Sequence, residues 1–150
     1  MNTTLLDTIM HHTPAGASTH SLLHYGQLKA TGGFHGYDWG SDKLNFQHHN
    51  GPVPTYDLAD VTTPVALYWG DNDWFAMPGD ILHTISGLAN IVPGMNHEVD
   101  YEKWTHLDFL WAIDADKLVY SFLLDNLNTC REHDCRNVLK TDKGLFSEGN

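Results

Sequence analysis

Two short apolar runs near the middle of the chain predict buried β-strands. The run PVALYW at residues 64–69 stops at Gly70, and the run ANIV at residues 89–92 stops at Pro93. Unbroken apolar runs of this length are typical of strands that are covered on both faces of a parallel sheet. Residues 81–88 between them have the pattern of a short helix. The order strand, helix, strand predicts an α/β unit with a right-handed crossover.

Two other segments have helical patterns. Residues 14–28 offer Ser18 as an N-cap and a stripe of leucines, and Gly32 and Gly33 follow as a stop signal. Asp114 is an N-cap candidate for a later helix that we expect to pack on the sheet. Its apolar positions with helical spacing are Leu118, Val119, Phe122, Leu123 and Leu127.

The remaining segments lack a regular period. Residues 34–61 are dense in Gly, Pro, Asn and Asp, with several aromatic residues, and predict a long ordered loop region with bulky anchors. Residues 131–150 are polar and predict a loosely held tail.

Composition and charge narrow the range of functions. The chain has 150 residues and is 41% hydrophobic, which is typical of one globular domain. Its net charge of −11 disfavours binding to nucleic acid or to an anionic bilayer. Its 11 histidines would take this charge to about zero if all were protonated. The chain is therefore either adapted to work at acidic pH or has a histidine-rich surface with no role in pH dependence.

The sequence gives little information on the compartment. No apolar run is long enough to span a bilayer, and the opening MNTTLLDTIM lacks the basic and apolar regions of an export signal. Cys130 and Cys135 are too few to define a disulfide scaffold, and a local bridge between them stays open as an alternative.

Candidate chemistry lies in the loops that follow the two predicted strands. Asp73 comes three residues after Gly70, and His106 lies between the second strand and the last helix. Open parallel sheets carry their reactive groups at the carboxyl ends of strands, so we expect the two side chains to be neighbours. A carboxylate that accepts the Nδ1 proton of an imidazole leaves Nε2 free to act as a base. The alternative is a capping role for Asp73 and a solvated His106.

A metal site is a weaker hypothesis. His20 and His24 are four residues apart on a predicted helix, but no Glu lies between them as in a metalloprotease motif. We expect no metal ion and no cofactor.

Several segments resemble the acid lipase family of α/β-hydrolases, which includes gastric and lysosomal acid lipases. In order along residues 11–125 they are PAGAS, LLHYGQ, YDWGSDKLN, PTYDL, TTPVALYWG, GDNDWFAMPGD and THLDFLWAIDA. The last two are the most specific. GDNDW resembles the stretch that holds the family's triad Asp, which falls on Asp73, and THLDFLW resembles the stretch that holds its triad His, which falls on His106.

This resemblance implies a division of the chain and a function. Residues 1–55 would be the end of a helical cap, residues 56–130 the last parallel strands and helices of an α/β-hydrolase core, and residues 131–150 the tail. The complete enzyme would be a secreted or lysosomal lipase that acts on neutral lipid esters, triacylglycerols or steryl esters, with a lipid–water interface among its partners. Tyr37, Trp39 and Phe46 could line the cap's cleft, but core packing is the expected role of each.

The sequence departs from the family at the nucleophile. No Gly-x-Ser-x-Gly turn is present, since none of the six serines has a glycine at both flanking positions. We therefore expect the C-terminal part of a longer lipase, inactive alone and prone to aggregation through unpaired strand edges. The alternatives are a non-catalytic module that binds a lipid or a partner, and an inactive gene remnant.

Overall fold

The computed structural model describes residues 3–133 and residue 135, which form six α-helices and a two-stranded parallel sheet. Short 3₁₀ turns cover Thr3–Leu5, Leu58–Asp60 and Pro93–Met95, and a π-helical turn covers Asp116–Tyr120. The helices are α1 Leu6–His12, α2 Thr19–Thr31, α3 Asp42–His49, α4 Pro78–Gly87, α5 Asp108–Trp111 and α6 Ser121–His133. The strands are β1 Tyr68–Trp69 and β2 His97–Glu98. Within the described residues, no helix has the length and apolar character needed to cross a bilayer.

The predicted parallel α/β unit is present, but its second strand lies further along the chain. β1 pairs with β2 in parallel, Tyr68 opposite His97, and α4 lies between them in the chain. The strand predicted at residues 89–92 is reduced to one parallel bridge, between Val65 and Ile91. The prediction failed because a 3₁₀ turn begins at Pro93, which has no N–H to pair. The pairing resumes after the turn.

The side chain of Asn96 joins the two parts of this sheet. Its Oδ1 accepts the amide of Leu67 at 2.9 Å, between the backbone bonds that Val92 and His97 donate to the first strand segment. An amide side chain thus replaces a backbone partner where the turn interrupts the ladder. The run at residues 64–69 is half-buried rather than covered on both faces as predicted, because the described residues supply only a few neighbours.

The predicted helix at residues 14–28 is confirmed as α2. Ser18 takes the N-cap position, although its side chain makes no capping bond, and Gly32 ends the helix with φ +66°. Glycine adopts this left-handed conformation without a steric penalty, which is why the stop signal could be predicted.

The loop predicted at residues 34–61 contains a helix, α3, that the sequence analysis missed. The Oγ of Ser41 accepts the amide of Leu44 and caps the helix at its start, and Asn50 ends it with φ +59°.

Trp39 stacks on His48 with ring centroids 3.6 Å apart and also contacts Tyr37. Phe46 is 62% exposed, so its predicted core packing is wrong. It lies on the outer side of a helix that was not predicted.

The last helix begins differently from the prediction. The side chain of Asp114 makes no capping hydrogen bond; its carboxylate lies 3.5 Å from Lys117 Nζ, and the chain enters α6 through the π-helical turn. Val119 in that turn packs with Trp104 in one small core. Leu127 lines an apolar groove beside Val65 but is still 56% exposed, so the predicted packing on the sheet is partial.

A second small core lies at the end of α6. Val92 and Met95 pack against Cys135, which forms a disulfide with Cys130. This bond answers the question that the sequence left open. α6 includes residues 131–133 of the predicted tail; the rest of that prediction, apart from Cys135, lies outside the described residues.

Candidate active site

Asp73 is held in a tight turn directly after β1. Its amide donates to the carbonyl of Gly70 at 3.2 Å, and its Oδ1 accepts the amides of Phe75 and Ala76 at 2.8 and 3.2 Å. The side chain is 3% exposed. Hydrogen bonds to one oxygen fix the plane of a carboxylate, and they direct Oδ2 toward the neighbouring loop.

His106 meets that second oxygen. Its Nδ1 lies 2.9 Å from Asp73 Oδ2, across 33 residues of sequence. The imidazole is 57% exposed, and Nε2 has no hydrogen bond to any other described residue. A proton on Nδ1 satisfies the carboxylate and leaves the lone pair of Nε2 free to accept a proton. The structure thus brings the two predicted residues together. The alternative, in which Asp73 caps the following helix, is wrong, because α4 has Met77 at its N-cap position and Asp73 Oδ1 accepts amides of its own turn.

The loop that carries His106 is fixed by its own hydrogen bonds. Asp108 Oδ2 accepts the amide and the hydroxyl of Thr105 at 2.9 and 2.6 Å. Burial raises the pKa of the Asp108 carboxyl, but hydrogen bonds, among them those from Thr105, bring this pKa below its ordinary value. Asp108 therefore stays ionised and holds the turn into α5. Its role was not predicted from the sequence, although Thr and Asp three residues apart have the spacing of a capping box.

Close packing joins the two loops. Trp104, two residues before His106, is 2% exposed, and its side chain lies directly against Gly70 at the start of the Asp73 turn. On the other side, the ring of Phe75 lies 5.2 Å from the imidazole of His106, centroid to centroid. From the sequence, Gly70 was interpreted only as the end of the first strand and Phe75 was not singled out, since neither carries a titratable group.

The rings of the two histidines on α2 both contact Tyr37, but their other partners differ. His24 Nε2 lies 2.8 Å from the carbonyl oxygen of His35, while the ring of His20 packs against Tyr37 and Trp39. Among the described residues, no group of three or more His, Cys, Asp or Glu side chains could hold a metal ion.

Curated relatives of this chain are lipases. It is 36% identical over 121 residues to the gastric triacylglycerol lipase of Bos taurus, covering 80% of this chain and 30% of that protein. It is 38% identical over 130 residues to lipase lipl-1 of Caenorhabditis elegans and 32% over 125 residues to lipase member M of Mus musculus, in both cases over 83% of this chain. These two matches cover 31% and 29% of the relatives. No protein-family model matches the chain.

These relatives imply an α/β-hydrolase fold, with which the parallel pair β1–β2 and its helices agree. Within that class, the chain belongs with the acid lipases, as the resemblance predicted, and it corresponds to a partial region of them. It spans about 30% of the length of the curated relatives it matches.

Proposed function

We propose that this chain is the C-terminal part of an acid lipase, in which Asp73 and His106 are two members of a Ser-His-Asp triad. The observation that carries the proposal is the 2.9 Å contact between His106 Nδ1 and the buried Asp73 carboxylate, with Nε2 left unbonded among the described residues. The substrates would be carboxylic esters of neutral lipids, triacylglycerols or steryl esters. The relative named a gastric triacylglycerol lipase supports the first of these classes.

The geometry fits a general base that also acts as a general acid. His106 Nε2 would take the proton of a serine hydroxyl as the serine oxygen attacks the ester carbonyl, and would then give it to the leaving alcohol. In the second half of the cycle, water would attack the acyl-serine while His106 again takes and returns the proton. The ionised Asp73 would hold the Nδ1–H tautomer and stabilise the imidazolium that forms in each step.

The nucleophile would come from residues outside this chain. None of the six serines lies in a Gly-x-Ser-x-Gly turn. Loss of a triad nucleophile costs about 10⁶-fold in turnover. We therefore expect the isolated chain to show no ester hydrolysis above background.

The proposed organisation follows the same reasoning. Residues 1–55 would end a helical cap and residues 56–130 would end the hydrolase core. The complete enzyme would be secreted or lysosomal, for which the Cys130–Cys135 disulfide gives support, because structural disulfides persist in oxidising compartments.

A chimera tests the catalytic assignment. This chain would replace the matching region of the Bos taurus gastric triacylglycerol lipase, and hydrolysis of a triacylglycerol emulsion would be measured. We expect His106→Ala to abolish turnover and Asp73→Asn to lower kcat by about 10⁴-fold, because the asparagine no longer fixes the tautomer or stabilises the imidazolium.

Matched controls separate this loss from a general defect. His83→Ala removes an exposed imidazole from α4, and Asp71→Asn removes an exposed carboxylate from the same loop as Asp73. Both should keep the turnover of the unmodified chimera. Near-normal turnover by His106→Ala would instead remove the assignment and favour a non-catalytic lipid-binding module.

A further inference from the structure

Phe75 contacts both residues of the proposed pair. Its backbone amide donates to Asp73 Oδ1 at 2.8 Å, while its ring lies 5.2 Å from the imidazole of His106 at an interplanar angle of 55°. Asp73 offers its other oxygen to His106 at 2.9 Å. Asp73, His106 and Phe75 therefore each contact the other two.

The ring of Phe75 has no other role that the described residues reveal. It is 66% exposed and belongs to neither buried core cluster. Its one ring–ring contact among the described residues is with His106. The adjacent Trp74 is 84% exposed and makes no ring–ring contact with the described residues, so an aromatic residue in this loop does not by itself imply contact with the imidazole.

The hydrogen bond to Asp73 does not by itself fix the orientation of the His106 ring. One hydrogen bond at Nδ1 fixes a point on the imidazole but still permits the ring to tilt about that bond. A ring packed at a tilted angle restricts this motion, and aromatic pairs of this separation have a measurable preference for offset or edge-to-face geometry. The electron-rich face of an aromatic ring also attracts a cation, so the contact persists when the imidazole becomes an imidazolium.

We propose that Phe75 is a positioning residue, whose ring holds the imidazole of His106 in the orientation that keeps Nδ1 on Asp73 and Nε2 accessible. The catalytic part of this inference rests on the proposed function. The structural part, control of the imidazole orientation, does not. Phe75 acts through His106 and is not itself a catalytic residue.

The structural part is tested by NMR on the chimera with ¹⁵N-labelled histidines, because there the remainder of the lipase would cover the apolar surface through which we expect the isolated chain to associate. At about pH 8, above the ordinary titration range of an imidazole, ¹⁵N shifts report the tautomer of His106 and proton exchange reports the protection of its Nδ1–H. Phe75→Leu removes the ring and keeps the backbone amide; we expect about two- to tenfold faster exchange and a mixed tautomer, from the strength of one aromatic pair. Phe75→Tyr should restore the wild-type values.

Trp74→Leu is the matched control, since it removes a neighbouring exposed aromatic ring that makes no ring–ring contact with His106. It should leave exchange and tautomer unchanged. Equal behaviour of Phe75→Leu and Trp74→Leu would overturn the proposal. Because both sites are exposed, neither substitution removes core packing.

The catalytic part is tested in the chimera described above. Phe75→Leu should lower kcat by about two- to tenfold with KM unchanged, and Phe75→Tyr should keep the kcat of the parent. A rise in KM at constant kcat would show contact with substrate instead and would overturn the positioning role. If the parent chimera has no activity, the proposed function fails, whereas the NMR comparison still decides whether Phe75 orients His106.

Discussion

Gly70 lets the two loops of the candidate site approach each other because it has no side chain. A Cβ at this position would lie 2.7 Å from Trp104 Cδ1 and 2.8 Å from its carbonyl oxygen. Gly70 is three residues before Asp73, and Trp104 is two residues before His106. The distance between the proposed catalytic side chains therefore depends on a contact between Gly70 and Trp104, neither of which takes part in the proposed reaction.

A single methyl group at this contact should separate the loops. We expect Gly70→Ala to destabilise the chain by about 1–3 kcal/mol, the usual cost of overpacking, because a backbone oxygen cannot move aside. Urea unfolding measures this loss, and the His106–Asp73 hydrogen bond should weaken with it. Gly79→Ala on α4 is the control, since its Cβ would meet no atom within 4 Å; equal stability of the two variants would contradict the argument.

At the scale of elements, the start of α3 depends on a network centred on Asn45. This buried side chain accepts the Trp39 amide at 2.8 Å and donates to Asp38 Oδ1 at 2.9 Å. The Gln27 side chain links the backbone of Asp38 to α2 through bonds of 2.8 and 2.9 Å. The network connects α2, the loop that contains Asp38 and Trp39, and the start of α3, and it does so without a large apolar core.

Removal of Asn45 should separate these elements. We expect Asn45→Ala to cost about 1–3 kcal/mol, because the Trp39 amide loses its partner in a partly buried position. Hydrogen exchange of the α3 amides and urea unfolding would detect the loss. Gln47→Ala, on the exposed part of α3, should have little effect, and similar losses in both variants would argue against a specific network.

The same network predicts a pH dependence. The hydrogen bond from Asn45, with that from the Gly40 amide, holds the pKa of Asp38 below its ordinary value. A pKa that is lower in the folded chain than in the unfolded chain means that the ionised carboxylate stabilises the fold. This stabilisation is complete above the unfolded pKa of about 4 and is lost as the pH falls through the folded pKa. Unfolding curves between about pH 2 and 6 should show a smaller acid-dependent loss in Asn45→Ala than in the wild type. Parallel curves would contradict this role.

At the scale of the whole molecule, much apolar surface lies open. Leu22 on α2, Trp74 after β1 and Leu110 on α5 are 69%, 84% and 70% exposed, and within the described residues β1 pairs on one side only. Exposed apolar patches and unpaired strand edges favour association. This agrees with a chain that matches about 30% of the length of its relatives.

The isolated chain should therefore associate with itself. We expect its apparent mass in light scattering to rise with concentration and an apolar dye to bind, because within the described residues these side chains lie open to solvent. In the chimera, both effects should fall, since the remainder of the lipase would cover them. A strictly monomeric isolated chain that excludes the dye would contradict the proposed organisation.

Local signals accounted for most of what could be predicted. Gly32 predicted the end of α2, since a left-handed residue there needs no distant partner, and the order of strands and loops predicted that Asp73 and His106 would meet. α3 was missed because its start depends on Ser41 and Asn45 in a segment whose composition is typical of loops.

The amino-acid sequence by itself determined the α/β order, the acidic charge, the kinship with acid lipases and the two residues that face each other at the sheet edge. Only the tertiary structure decided that the ladder resumes at His97, that Cys130 bonds to Cys135, and that Phe75 lies against the imidazole. The physical reason is range. A turn or a cap is set by hydrogen bonds within a few residues, whereas strand pairing and side-chain packing depend on which segments, distant in sequence, lie against each other in the folded chain.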